Sequence, residues 1–97
     1  METGSARMIR KHIVCSGHVQ GVGFRWRAGK AADMYGVTGW VRNDWDGTVT
    51  MEVQGTEEQI DAVLKAIRRG LYIRIDHMDS RNIPPVPNER GFRMEYE

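Results

Sequence analysis

With 97 residues, 40% of them apolar and 28% charged, the chain has the make-up of one soluble globular domain and no length for a second. Lys and Arg number 14 against 13 Asp and Glu, and the net charge of +1 argues against nucleic-acid binding driven by electrostatics. The single Cys15 excludes an intrachain disulfide framework, no apolar run reaches the roughly 18 residues of a membrane span, and the opening METGSARMIRK lacks a secretory apolar stretch, so the expected location is the cytoplasm.

Residues 1–7 read as a flexible leader ahead of a domain spanning 8–97. The run MIRKHIVCS over 8–16 alternates, with Ile9, Ile13 and Cys15 on one face and Met8 and Val14 on the other, and predicts a first strand. GHVQGVG follows and reads as a loop. Phe24, Ala28, Ala31, Ala32 and Tyr35 recur at helical spacing, and Gly36 stands where a helix-ending glycine belongs. Gly29 inside that helix costs about 1 kcal/mol relative to alanine. Val37, Gly39 and Val41 predict a second strand, and Asp46-Gly47 a tight turn. In the third strand Val49, Met51 and Val53 alternate with Thr48, Thr50, Glu52 and Gln54, so one face is expected on the core and the other in water.

Thr56 and Gln59 have the spacing of a capping box, and Glu57 and Glu58 suit the positive end of a helix. Ile60, Val63, Leu64 and Ile67 supply that helix's apolar stripe, closed by Arg68, Arg69 and Gly70. Leu71, Ile73 and Ile75 predict a fourth strand, and the proline-rich IPPVPNERG leads to a short last one with Phe92, Met94 and Tyr96. Strand–helix–strand units are right-handed, and two of them interleave in one sheet. The expected fold is therefore the ferredoxin-like βαββαβ plait, a four- to five-stranded, mostly antiparallel sheet with two helices on one face. Many unrelated activities share that architecture, so function has to come from a site.

The site candidate is G-H-V-Q-G-V-G-F-R, from Gly17 to Arg25. Glycines there allow backbone to turn sharply and to approach a ligand closely. Consecutive amides in such a turn form an anion nest, and the start of the following helix favours the same ligand. Arg25 adds a planar charged fork matched to phosphate oxygens. A tight connection followed by a solvated arginine has the same composition, so the loop alone does not separate binding from simple chain reversal. The nucleotide-binding pattern G-x-x-x-x-G-K-[ST] is absent, since Gly29-Lys30 is followed by Ala31, and no metal or cofactor is expected.

That loop, G-W-V-R-N-D-W-D-G over 39–47 and V-Q-G over 53–55 together closely resemble the acylphosphatase family, with the resemblance running from about Ile9 to Tyr96. The resemblance implies an acyl phosphate as substrate and inorganic phosphate as product. It further implies that the amides of Val19, Gln20, Gly21, Val22, Gly23 and Phe24 cradle the phosphoryl group, that Arg25 pairs with it, and that Asn43 holds the attacking water. Small departures from the family pattern are His18 in place of a common arginine, Tyr35 and Val37 in place of leucines, and Gly29 in the first helix. None falls on Arg25 or Asn43.

For phosphoryl transfer to water the main levers are positioning and electrostatic stabilisation. His18, Asp44 and Asp46 are the titratable candidates for a base within the motifs, and a phosphate oxygen of the substrate is the alternative proton acceptor. Other features have plainer readings. In H-x-x-C-x-x-H, His12 and Cys15 point to opposite faces of a strand, against a metal site. Trp26, Trp40 and Trp45 suit packing and rim positions better than base stacking, because the hairpin's polar face is a poor platform. A non-catalytic anion- or nucleic-acid-binding module on the same plait and a detached domain of a larger enzyme remain alternatives. Nothing in the sequence demands more than a monomer.

Overall fold

In the computed structural model, which describes residues 7–97, the elements follow the order β1 (Ile9–His18), α1 (Phe24–Tyr35), β2 (Thr38–Asn43), β3 (Val49–Gly55), α2 (Glu57–Arg68), β4 (Arg74–Ile83) and β5 (Phe92–Tyr96). The expected leader falls almost wholly outside the described residues. The strands lie in the order β4-β1-β3-β2-β5. All pairs are antiparallel except β2 with β5, which run parallel. Ile13, Cys15, Val41, Val49, Met51 and Val53 line one face of the sheet and pack against Phe24, Ala28, Ala31 and Ala32 of α1 and Ile60, Val63 and Ile67 of α2. The plait expected from the apolar spacing is the fold.

The second helix forms as its sequence dictates. Thr56 Oγ accepts from the Gln59 N–H at 3.2 Å, and Gln59 Oε1 accepts from the Thr56 N–H at 2.8 Å, so two otherwise orphaned donors are satisfied reciprocally. Gly36, at φ 73°, ends α1, and its N–H donates to the Ala32 carbonyl.

Three expectations need correction. The first strand does not stop at Ser16; after a register shift at Ser16/Gly17 it continues through His18 against Ile75 and Arg74. Only 19–23 is loop. The fourth strand does not occupy Leu71 and Tyr72, which form an exposed turn; it starts at Arg74 and runs to Ile83. β4 is an edge strand, and edge strands carry charges in place of clean alternation. Arg74, Asp76, His77, Asp79 and Arg81 fill it and hide its length from a pattern search.

The third correction concerns the polar face of β3, which is partly covered rather than wet. Thr50 and Gln54 are buried there. The connection over 84–91 folds across this face, with Gln54 donating to the Val86 carbonyl at 2.9 Å and accepting from the Val86 N–H at 2.8 Å. Beneath it lies Arg10, only 2% exposed, paired with Glu52 at 3.1 Å and Glu89 at 2.7 Å and bonded to Gln54 at 3.1 Å. Thr38 donates to the same Glu89 carboxylate at 2.8 Å. Polar side chains can be buried when each finds a partner, and here they satisfy one another.

His12 and Cys15 lie on opposite faces, as strand alternation requires. His12 Nδ1 is 2.8 Å from Glu52 on the polar side, while Cys15 is fully buried in the core. Burial pushes the Cys15 thiol up to about 11, with Arg68 opposing the shift.

Candidate active site

The two twelve-residue helices differ at their N-termini. α2 has its capping box and two glutamates, whereas α1 starts from Gly23 with no side-chain cap and no acidic residue in the first turn. The first amides of α1 are therefore left for another partner, and the positive end of its dipole is uncompensated. Gly21 and Gly23 both have positive φ, 74° and 84°, in the left-handed region that glycine enters without steric penalty. That conformation bends 19–23 into a concave turn ahead of the helix.

A cavity of about 180 Å³ lies against this turn, lined by Val19, Gly21, Gly23, Phe24, Arg25, Trp26, Asn43 and Met94. Loop, helix start and hairpin thus meet around one hollow. Arg25 and Asn43, far apart in sequence, reach the same space. Gln20 and Val22 form none of its wall. Gln20 instead turns its side chain onto the hairpin, donating to the carbonyls of Asp44 at 2.7 Å and Thr48 at 2.8 Å. Both partners are carbonyl oxygens, which fixes the amide orientation. His18 is exposed and does not line the cavity.

Asn43 ends β2. Among the described residues, its Oδ1 is the one buried side-chain oxygen or nitrogen without a hydrogen-bond partner. Buried acceptors are nearly always satisfied, so an orphan facing a cavity marks a place for a ligand or water. Its neighbour Asp44 is the opposite case. Arg42 donates to Oδ1 at 2.9 Å, and the hydroxyls of Thr48 and Thr50 donate to Oδ2. Burial raises the Asp44 pKa, but the bonds from Thr50, Arg42 and Thr48 outweigh it and hold the carboxyl below the usual aspartate range. Asp46 is likewise lowered, chiefly by its hydrogen bonds to Thr48. Both carboxylates brace the turn and are poorly suited to take a proton at neutral pH.

Arg25 has no carboxylate partner among the described residues, unlike Arg10, Arg42, Arg74 and Arg93. Its guanidinium lies 5.8 Å from the centroid of the Tyr96 ring. Tyr96 is in parallel register with Asn43 across β2 and β5, so the last strand forms one bank of the site. The roles of Met94 and Tyr96 escape sequence reasoning, because only the sheet order places β5 beside β2. Trp26 occupies the rim position expected of it, 62% exposed at the cavity wall.

An α/β plait with an uncapped helix start, an arginine without a carboxylate partner among the described residues and an orphan asparagine oxygen around one cavity presents a candidate anion site. The sequence model of the acylphosphatase family matches residues 11–94. An acylphosphatase of Clostridium acetobutylicum is 39% identical over 90 residues, covering 92% of this chain and 99% of that protein. One from Bordetella parapertussis is 52% identical over 65 residues, 67% of this chain and 69% of its own. The crystal structure of acylphosphatase from Bacillus subtilis superposes with a TM-score of 0.83 at 27% identity, covering 91% of this chain and 99% of that one. The chain belongs to the acylphosphatase family.

Proposed function

We propose that the protein hydrolyses the carboxyl–phosphate bond of acyl phosphates to carboxylate and inorganic phosphate. In this reading the amides of the 19–24 turn and the Arg25 guanidinium hold the phosphoryl oxygens, and Asn43 holds the attacking water. The observation that carries it is the buried, unpartnered Oδ1 of Asn43 in the same cavity as the uncapped start of α1. Pure anion binding has no use for such an acceptor, whereas a nucleophilic water donates a hydrogen bond to it and turns a lone pair toward phosphorus.

The new bond joins the water oxygen to phosphorus as the phosphorus–oxygen bond to the acyl group breaks. The bonding pair leaves with the carboxylate, a good leaving group that needs little acid assistance. Asp44 and Asp46 are occupied by hydrogen bonds, and His18 is outside the cavity, so a phosphoryl oxygen of the substrate takes the proton released by the water. Preorganised amides and Arg25 offset charge as it shifts over the equatorial oxygens.

A small anionic substrate also accords with the near-neutral chain and the covered polar face, neither of which favours nucleic acid. The charged edge strand β4 supports a monomer by opposing strand addition. The single buried cysteine supports the cytoplasm. The test is phosphate release from a synthetic acyl phosphate in the presence of a chelator. Steady turnover is expected, and release that requires added magnesium would refute the reading.

A further inference from the structure

The helix layer is polarised in charge. Along α1 the order is Arg25, Arg27, Lys30 and then Asp33; along α2 it is Glu57, Glu58, Asp61 and then Lys65 and Arg68, with Arg69 next. The helices run antiparallel, and Arg27 near the start of α1 donates to the Ala66 carbonyl near the end of α2 at 3.3 Å. The cations therefore gather at the end that carries the glycine turn, and the acids at the other. For α2 this order complements the helix dipole, whereas for α1 it opposes it, so helix stability does not call for arginines there. None of Arg27, Lys30, Lys65, Arg68 and Arg69 has a carboxylate partner among the described residues.

Large apolar side chains stand exposed among these cations. Trp26 and Met34 line a groove of about 220 Å³ between the helices, together with Arg27, Lys30, Ala31 and Ala66. The turn after α2 adds Leu71 and Tyr72, 83% and 71% exposed, directly after Arg69. That turn adjoins the groove, since a Cβ on Gly70 would stand 3.0 Å from Arg27 Nε. The nearby acids are engaged elsewhere: Asp76 pairs with Arg74, and Glu97 accepts from the Trp45 N–H on the hairpin side.

We propose that this end of the helix layer docks on an anionic bilayer surface. The charges are complementary, with unpaired arginines and lysines facing a negatively charged headgroup layer. The apolar shape also fits a bilayer. Leu71 and Tyr72 project from a turn, which suits a soft medium that closes around them better than a preformed protein groove. Indole and phenol rings favour the headgroup level, and arginine and lysine stems lie along apolar surface while their heads reach phosphates. Glu57, Glu58 and Asp61 are repelled by the same surface, so the molecule is set with the glycine turn toward the bilayer. A net charge of +1 does not oppose this, because such attraction acts over about 10 Å and follows the local patch. The proposal does not depend on the hydrolase reading.

The test is co-sedimentation of the intact protein with vesicles of phosphatidylglycerol and phosphatidylcholine in equal parts, and with vesicles of phosphatidylcholine alone. Binding is expected to the anionic vesicles only, and to weaken at least about tenfold between roughly 0.1 and 0.5 M NaCl. Arg68→Glu with Arg69→Glu is expected to abolish it, and Leu71→Ser with Tyr72→Ser to weaken it roughly tenfold. All four side chains are exposed, so circular dichroism of both paired variants should match the native protein. Equal binding to both kinds of vesicle, no binding to the anionic ones, or indifference to either pair of substitutions overturns the proposal. Tighter binding to soluble polyglutamate than to vesicles overturns it in favour of an acidic polypeptide. A dimer in sedimentation equilibrium that Arg68→Glu with Arg69→Glu dissolves overturns it in favour of a second copy of the chain.

Discussion

Gln20 and Asp44, in different connections, are tied by a 2.7 Å bond from the Gln20 amide to the Asp44 carbonyl, and the same amide donates to the Thr48 carbonyl at 2.8 Å. The glycine turn and the hairpin that ends β2 are thereby held as one body. Gln20→Met keeps the shape and removes both donors. It is expected to cost about 1–2 kcal/mol of stability, the worth of two hydrogen bonds, and to weaken inhibition by inorganic phosphate because the cradle loosens. Urea unfolding and inhibition constants check this; unchanged phosphate affinity would show that the turn holds its shape without the brace.

Asn43 and Arg25 are expected to separate cleanly. Asn43→Ala should lower kcat by roughly a hundredfold or more while leaving phosphate inhibition within about threefold, because its proposed role is to hold water. Its stability should hold or rise, since the substitution deletes a buried acceptor that has no partner. Arg25→Ala should damage turnover and phosphate affinity together. If Asn43→Ala kept most of its turnover, the water-holding role would be lost.

The buried cluster on the second face predicts an acid limb in stability. Burial raises the Glu89 pKa, but bonds from Arg10 and Thr38 outweigh it and bring the carboxyl below the ordinary glutamate value of 4.5. Glu52 shifts the same way, with burial offset by His12 and Arg10. A depressed native pKa contributes stability that is present above the unfolded value and lost as pH falls through the native one. Glu89, 7% exposed, should therefore matter at neutral pH and not in acid. Glu89→Gln is expected to cost about 2 kcal/mol at pH 7, the worth of a hydrogen bond to a charged group, with the gap from the native protein closing in acid, as pH falls below the ordinary glutamate value of 4.5 and through the lowered native one. Denaturation midpoints at neutral and acid pH decide it, and a constant gap contradicts it.

Gly29 lies in α1 with nothing within 4 Å of where a Cβ would stand and without positive φ. Gly29→Ala is thus expected to stabilise the fold by about 1 kcal/mol, raising Tm by roughly 4–8 °C for a domain of this size. A lower Tm would mean that the helix needs its flexibility there.

What the amino-acid pattern discloses depends on how local its cause is. The capping box at Thr56 and Gln59, the helix stop at Gly36 and the hairpin turn at Asp46-Gly47 are short-range effects, and the structure has all three. The extent of β4 was not legible, because an edge strand under charge protection shows no alternation. Nor was the burial of Gln54, which depends on a connection more than 30 positions downstream folding over it, or that of Thr50, whose hydroxyl is taken up by Asp44. The cradle residues stand next to one another in the chain, but the opposite bank does not: Met94 and Tyr96 join Asn43 only through the parallel pairing of β5 with β2.

Cys15, the one cysteine of the chain, is sealed in the core with its thiol pushed up to about 11. The folded molecule therefore hides its only thiol twice, by packing and by protonation. Its alkylation by a small reagent becomes a clock for opening of the sheet–helix interface, readable at a single mass shift and without any engineered probe.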